Sequence, residues 1–156
     1  MVLRIAGSML FVGGMLAACI MDWKEQKVYR FIWLLAGTGA GIFMVLHILQ
    51  EQIKMQSMAE LLFYLVLQQL WFGRFYGRAD CHAFCVSAMW MWGLGLGLYD
   101  YVMHMLFVFM GLTLVQLIRR NIGRNGQLKK PVALIPYIAA ALWVWVDFAD
   151  GKWYIY

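Results

Sequence analysis

The chain has 156 residues, 64% hydrophobic and only 13% charged, and its mean hydropathy is +0.70. That balance excludes an ordinary soluble domain, and six apolar spans of about 20 residues each would use most of the chain. The formal charge of +5 comes from cations scattered over connectors rather than from a dense basic tract. This argues against nucleic acid as a partner and for membrane topology and anionic headgroups.

The first apolar run covers residues 5–21. Within it Leu16-Ala17-Ala18-Cys19 has the form of a lipoprotein processing site, but the lone Arg4 ahead of it makes a poor signal-peptide n-region. A mixed-charge connector runs from Asp22 to Arg30. A second span is expected over 31–49, where Gly37 and Gly41 share a face at the small-xxx-small spacing that lets helices approach closely. The third span, 57–72, is short and carries Glu60, Gln68 and Gln69. A loop rich in Gly, Arg and aromatics leads to Asp80, and the fourth span follows over 83–98. Its Gly93, Gly95 and Gly97 have no strand before them, so they suit packing or a kink rather than phosphate binding. Asp100 marks a tight connection into the fifth span, 101–118. The sixth span, 132–148, opens with Pro131 and Pro136, and Pro136 is expected to distort its first turns. Cys19, Cys81 and Cys85 contain no CxxC pair and suit small apolar positions.

Ten Lys and Arg fall on the connectors after spans one, three and five, against three on the opposite side. The positive-inside rule therefore places those connectors in the cytoplasm and both termini on the outer side. The expected fold is an all-α membrane protein with six transmembrane helices, forming one polytopic domain over 1–156. Asp22 and Asp80 then lie at one cytoplasmic level. His47, Glu60, Asp100 and His104 lie towards the outer ends without metal-ligand spacing, which suits structural or interfacial roles. No metal or cofactor is expected.

An acid at the edge of a hydrocarbon layer is expensive unless it has a partner or a task. Two carboxyl groups held close together cannot both ionise readily, so they share a proton. The ionised one can take a proton from water while the protonated one polarises a peptide carbonyl, with no metal or covalent intermediate. Asp80 precedes span four, where the helix dipole favours the charged form, and Asp22 ends span one, where it favours the protonated form. On that ground Asp22 is the expected acid and Asp80 the expected base. There is no HExxH, GxSxG or GKS/T sequence to support rival chemistries. Acids of this kind also suit a small membrane transporter or an assembly scaffold. A transporter more often has broken helices at the midplane in repeated halves, whereas here the two acids lie at one surface.

Two segments resemble the prepilin peptidase (type IV leader peptidase) family of GxGD membrane aspartyl proteases. The family pattern D-x-R/K-x-x-x-I-P-N is matched by Asp22, Lys24 and Val28, with Tyr29 and Arg30 in place of Pro-Asn. The G-x-G-D or G-x-A-D pattern is similar to Gly77-Arg78-Ala79-Asp80, followed here by Cys81-His82. The proline-containing segment from Pro131 to Pro136 is similar to the start of the family's last span. The resemblance implies a catalytic pair of Asp22 and Asp80 that removes the cytoplasmic leader from type IV prepilin-like precursors. Lys24, Gly77 and Ala79 would support substrate or pair, and Gln68 and Gln69 either do so or serve as interhelical polar contacts. The absence of a cysteine-rich insertion implies the short, peptidase-only form associated with Flp/Tad-type pili or pseudopilins. The implied location is a bacterial or archaeal cytoplasmic membrane, with a prepilin-like protein and membrane lipids as partners.

Overall fold

The computed structural model describes residues 2–50, 55–122 and 133–149, with side chains for all of these except 119–122 and 147–149. All regular structure among them is helical: α1 (Val2–Glu25), α2 (Arg30–Gln50), α3 (Met55–Leu70), α4 (Arg78–Gly93), α5 (Leu98–Ile122) and α6 (Ile135–Ala149), with a short 3-10 turn at Phe72–Arg74. Three of them, α1, α2 and α5, are long and apolar enough to cross a membrane. At 1.5 Å per residue, the 16-residue α3 and α4 rise only about 24 Å, against about 30 Å of hydrocarbon. Large apolar side chains such as Met9, Leu34 and Met110 point outward, as lipid contact demands and water does not.

Helix α4 is the hub. It packs against α2, α3, α5 and α6, while α1 pairs with α2 and α6. Ten of its 16 residues are buried, including Phe84, Ser87, Met91 and Trp92, the pattern of a helix surrounded by protein on most sides. Trp90 stacks on Phe11 of α1 with ring centroids 4.6 Å apart and meets Phe43 of α2 edge-on.

The close approach of α1 and α2 depends on Gly39 rather than on Gly37 and Gly41. A methyl group at Gly39 would lie 2.4 Å from the Phe11 amide nitrogen and 2.7 Å from the Gly7 carbonyl oxygen. At Gly37 or Gly41 it would meet nothing within 4 Å. Gly14 also lies close against Ala36, where an added methyl would come within 2.8 Å of its Cβ, so the seam is built from small residues on the face that the Gly37–Gly41 spacing does not mark.

Helix ends account for the other departures. α1 continues through Glu25 instead of stopping at Met21, because Trp, Lys and Glu all tolerate a helix and their tips reach outward. The chain then turns at Gln26 with φ 53, a left-handed conformation. α4 begins at Arg78 and ends at Gly93, five residues ahead of the expected span. Gly95, with φ +84, stops it: its amide reaches Trp92 O and the Leu96 amide reaches Met91 O, at 2.9 and 3.0 Å. That is a Schellman closure, in which glycine relieves the steric cost of the left-handed residue. Pro136 is the second residue of α6, where a missing amide hydrogen costs nothing, so it starts the helix instead of distorting it. Pro131 lies outside the described residues.

Candidate functional site

Asp22 sits one turn before the end of α1, facing inward and only 8% exposed. Its Oδ2 accepts the backbone N–H of Ile135, 113 residues away, at 3.1 Å. Ile135 is the first residue of α6, whose opening amides have no intrahelical partner. The carboxylate therefore closes α6, with the Leu134 amide alongside. A charge facing a helix N-terminus is favoured by the dipole as well as by the hydrogen bond.

Asp80 occupies the equivalent place on α4. It stands at the third position of the helix, and its Oδ2 accepts the Gly77 N–H at 3.2 Å. A methyl group on Gly77 would lie 3.3 Å from that same oxygen, so the glycine keeps the turn closed around the carboxylate. Gly77 itself has φ −63 and needs no special conformation.

These two acids, which share neither a helix nor a connector, lie at one end of the bundle, near enough for the charge of Asp22 to act on Asp80. Asp80 lies ahead of the apolar stretch that begins at Ala83. Burial pushes its carboxyl up to about 6, and the Asp22 charge adds to the rise against the opposing Gly77 N–H. Asp22 faces two backbone amides at the start of α6 and Asp80 only the Gly77 N–H, so amide hydrogen bonding favours the charged form at Asp22 more than the end of α1 alone suggests.

Because the folded value exceeds the ordinary 3.8, the unfolded chain releases this proton first as pH rises. Stability is fully retained below about pH 4 and is lost progressively towards about pH 6. Asp80→Asn keeps an oxygen for Gly77 and removes the titration. We expect it to unfold later than wild type by about 1 kcal/mol near neutrality, after discounting for partial exposure, with no difference near pH 4. Thermal unfolding in detergent at the two pH values measures this, and an equal gain at both would contradict it.

The remaining sequence candidates divide. Gln68 is fully buried; its Oε1 accepts the Tyr76 hydroxyl, and its Nε2 lies 3.5 Å from Met105 Sδ. It ties α3 to the connector 71–77 and to α5, and it reaches the pair only through Tyr76, which senses the Asp80 charge. Gln68→Leu would strand the Tyr76 hydroxyl, a cost of about 1–3 kcal/mol in an unfolding titration. Gln69 is exposed and bonds Cys85 Sγ at 3.5 Å, so it stays within the α3–α4 contact. Ala79 packs against the core beside Asp80. Lys24 is exposed, and His82 faces Trp33 of α2 at 6.2 Å between rings. The loop 123–130 lies outside the described residues.

At the opposite end, Asp100 and Glu60 also close a helix start. Asp100 accepts Gly97 N–H at 2.9 Å and the Trp145 indole at 3.2 Å, and Glu60 accepts Leu98 N–H at 3.2 Å. His104 is buried and joins Ile138 O at 2.9 Å, and His47 packs edge-on against Trp92. Among the described residues no three of His, Cys, Asp and Glu gather as metal ligands.

Tyr76 is the site neighbour that sequence reasoning missed. Its signal was a tyrosine one residue before the Gly77-Arg78-Ala79-Asp80 turn, but only the fold reveals the buried amide that receives it. Compared with protein-family models, with curated proteins and with solved structures, the chain gave no match.

Proposed function

We propose that the protein is an intramembrane aspartyl endopeptidase that removes the cytoplasmic leader from type IV prepilin-like precursors. The observation that carries this reading is that two acids from separate helices lie at one end of the bundle, Asp22 on the start of α6 and Asp80 on the start of α4, within electrostatic reach of each other. The resemblance of the two aspartate segments to the prepilin peptidases supplies the substrate class. On this reading all six helices cross a bacterial or archaeal cytoplasmic membrane, with both termini outside.

The chemistry needs only the two carboxyl groups and water. Ionised Asp22 takes a proton from water as its oxygen attacks the scissile carbonyl carbon. Protonated Asp80 donates to the carbonyl oxygen, giving a tetrahedral gem-diol. The C–N bond then breaks, the proton held by Asp22 passes to the leaving amine, and a hydroxyl proton returns to Asp80. Gly77 and Ala79 leave the approach to Asp80 free of bulky side chains.

A second reading has an observation of its own. Each carboxylate closes a helix N-terminus, Asp22 on α6 and Asp80 on α4, so both acids could be structural in a transporter or scaffold. Co-expression with a prepilin-like substrate separates the two. The peptidase reading expects a shortened product on a gel, with its new N-terminus at the leader boundary. An uncut substrate beside a correctly inserted protein favours the scaffold.

A further inference from the structure

The end of the bundle that carries the two acids is also its described cationic end. Lys24, Lys27, Arg30, Arg74 and Arg78 are all exposed there, with Glu25 as the one exposed acid among them. Among the described residues none of the five cations lies within ion-pair distance of a carboxylate. The two connectors that carry them are neighbours, since the His82 ring at the start of α4 faces Trp33 at the start of α2. Aromatic side chains accompany the charges: Trp23, Trp71 and Phe75 are 67%, 64% and 72% exposed. Cations mixed with amphipathic rings suit the headgroup layer better than open water.

Helix length supplies a second, independent argument. On the reading that α3 and α4 cross the membrane, their rise of about 24 Å falls short of the hydrocarbon by about 6 Å. A short span is accommodated by local thinning and by flanking side chains that reach for the headgroups. The connector between these two helices, 71–77, is therefore where phosphate groups are drawn closest to protein.

We propose that this cationic and aromatic rim is a binding surface for anionic phospholipid headgroups, placed beside the acid pair. The rim would hold a negatively charged lipid layer around Asp22 and Asp80. A protein partner with acidic segments would meet the same charges, but the exposed rings and the short helices favour lipid.

The test uses the full chain in phosphatidylcholine bilayers with trace spin-labelled lipid, reading the motionally restricted fraction by electron spin resonance. Spin-labelled phosphatidylglycerol is expected to be preferred over phosphatidylcholine by about threefold, and the preference should weaken as salt rises. Replacing Arg30, Arg74 and Arg78 together by glutamine should bring it close to parity. Arg4→Gln, at the other end of α1, should leave it intact. Parity in the unaltered protein, or an equal loss in Arg4→Gln, overturns the proposal and leaves the cations to a protein partner. Absence of any restricted lipid would overturn the membrane reading with it. The readout needs no cleavage, so it stands or falls separately from the peptidase chemistry.

Discussion

Asp22→Asn and Asp80→Asn should each lose leader cleavage by at least about 100-fold while the bundle stays folded. Asparagine retains an oxygen that can accept the Ile135 amide at position 22 or the Gly77 amide at position 80. The helix closures therefore survive, and what disappears is the exchangeable proton. This separation makes asparagine the informative substitution. Alanine removes the closures as well, at about 1 kcal/mol each, and would mix instability with lost chemistry. A scaffold whose acids only close helices predicts the opposite pattern, with no difference in cleavage between the Asn variants and wild type. Rates on a purified prepilin-like substrate, read beside helix content and unfolding temperature, decide between them.

The same pair sets a pH dependence. With Asp80 releasing its proton at about 6, the form with one proton on the pair declines above that value. Cleavage should fall about tenfold per unit at higher pH where chemistry limits the rate. The limb belongs to the coupled pair rather than to one residue. A profile flat from about pH 6 to pH 8 would remove Asp80 from the role of proton donor.

How much of this arrangement could be seen in the sequence depends on the distance over which each feature is decided. The six helices were visible because apolar runs bounded by charged connectors need only local information. Their ends are visible where a residue has a strong conformational preference, yet even Gly95 reads from sequence as packing or a kink rather than as the stop it makes for α4. The central position of α4 was not legible, since an apolar face in a membrane protein can meet lipid or another helix equally well. The same ambiguity hid the α1–α2 seam: spacing identified Gly37 and Gly41 as a face, but only the partner's position shows that Gly39 is the contact. The site was half visible. Asp22 and Asp80 stood out as costly acids at the edges of apolar runs, whereas the role of Asp22 on α6 depends on a bond across 113 residues. Without that bond, the helix-end argument weighs only the end of α1 at Asp22 and leaves out the start of α6.

The α1–α2 seam yields the other large effect. An alanine at position 39 would put its methyl group 2.4 Å from Phe11 N and 2.7 Å from Gly7 O. Both are backbone atoms of α1, so no rotamer change can relieve the clash and the two helices must separate. Overpacking of a close contact costs about 1–3 kcal/mol, and leucine, with three more carbons to place, should exceed that range. Separation would also loosen the Phe11–Trp90 stack that joins α1 to α4. The two acids ride on those same helices, so Gly39→Leu should lose cleavage together with stability, unlike the asparagine variants. Gly37→Ala and Gly41→Ala provide the contrast. Each adds a methyl group in open space on a helix that gains by losing a glycine, so each should be neutral or stabilising by up to about 1 kcal/mol. Unfolding titrations of the three alanine variants in mixed micelles measure the difference. A tolerated Gly39→Ala beside a damaging Gly37→Ala would mean that α2 presents the other face to α1, and the placement of Asp22 beside Asp80 would have to be redrawn with it.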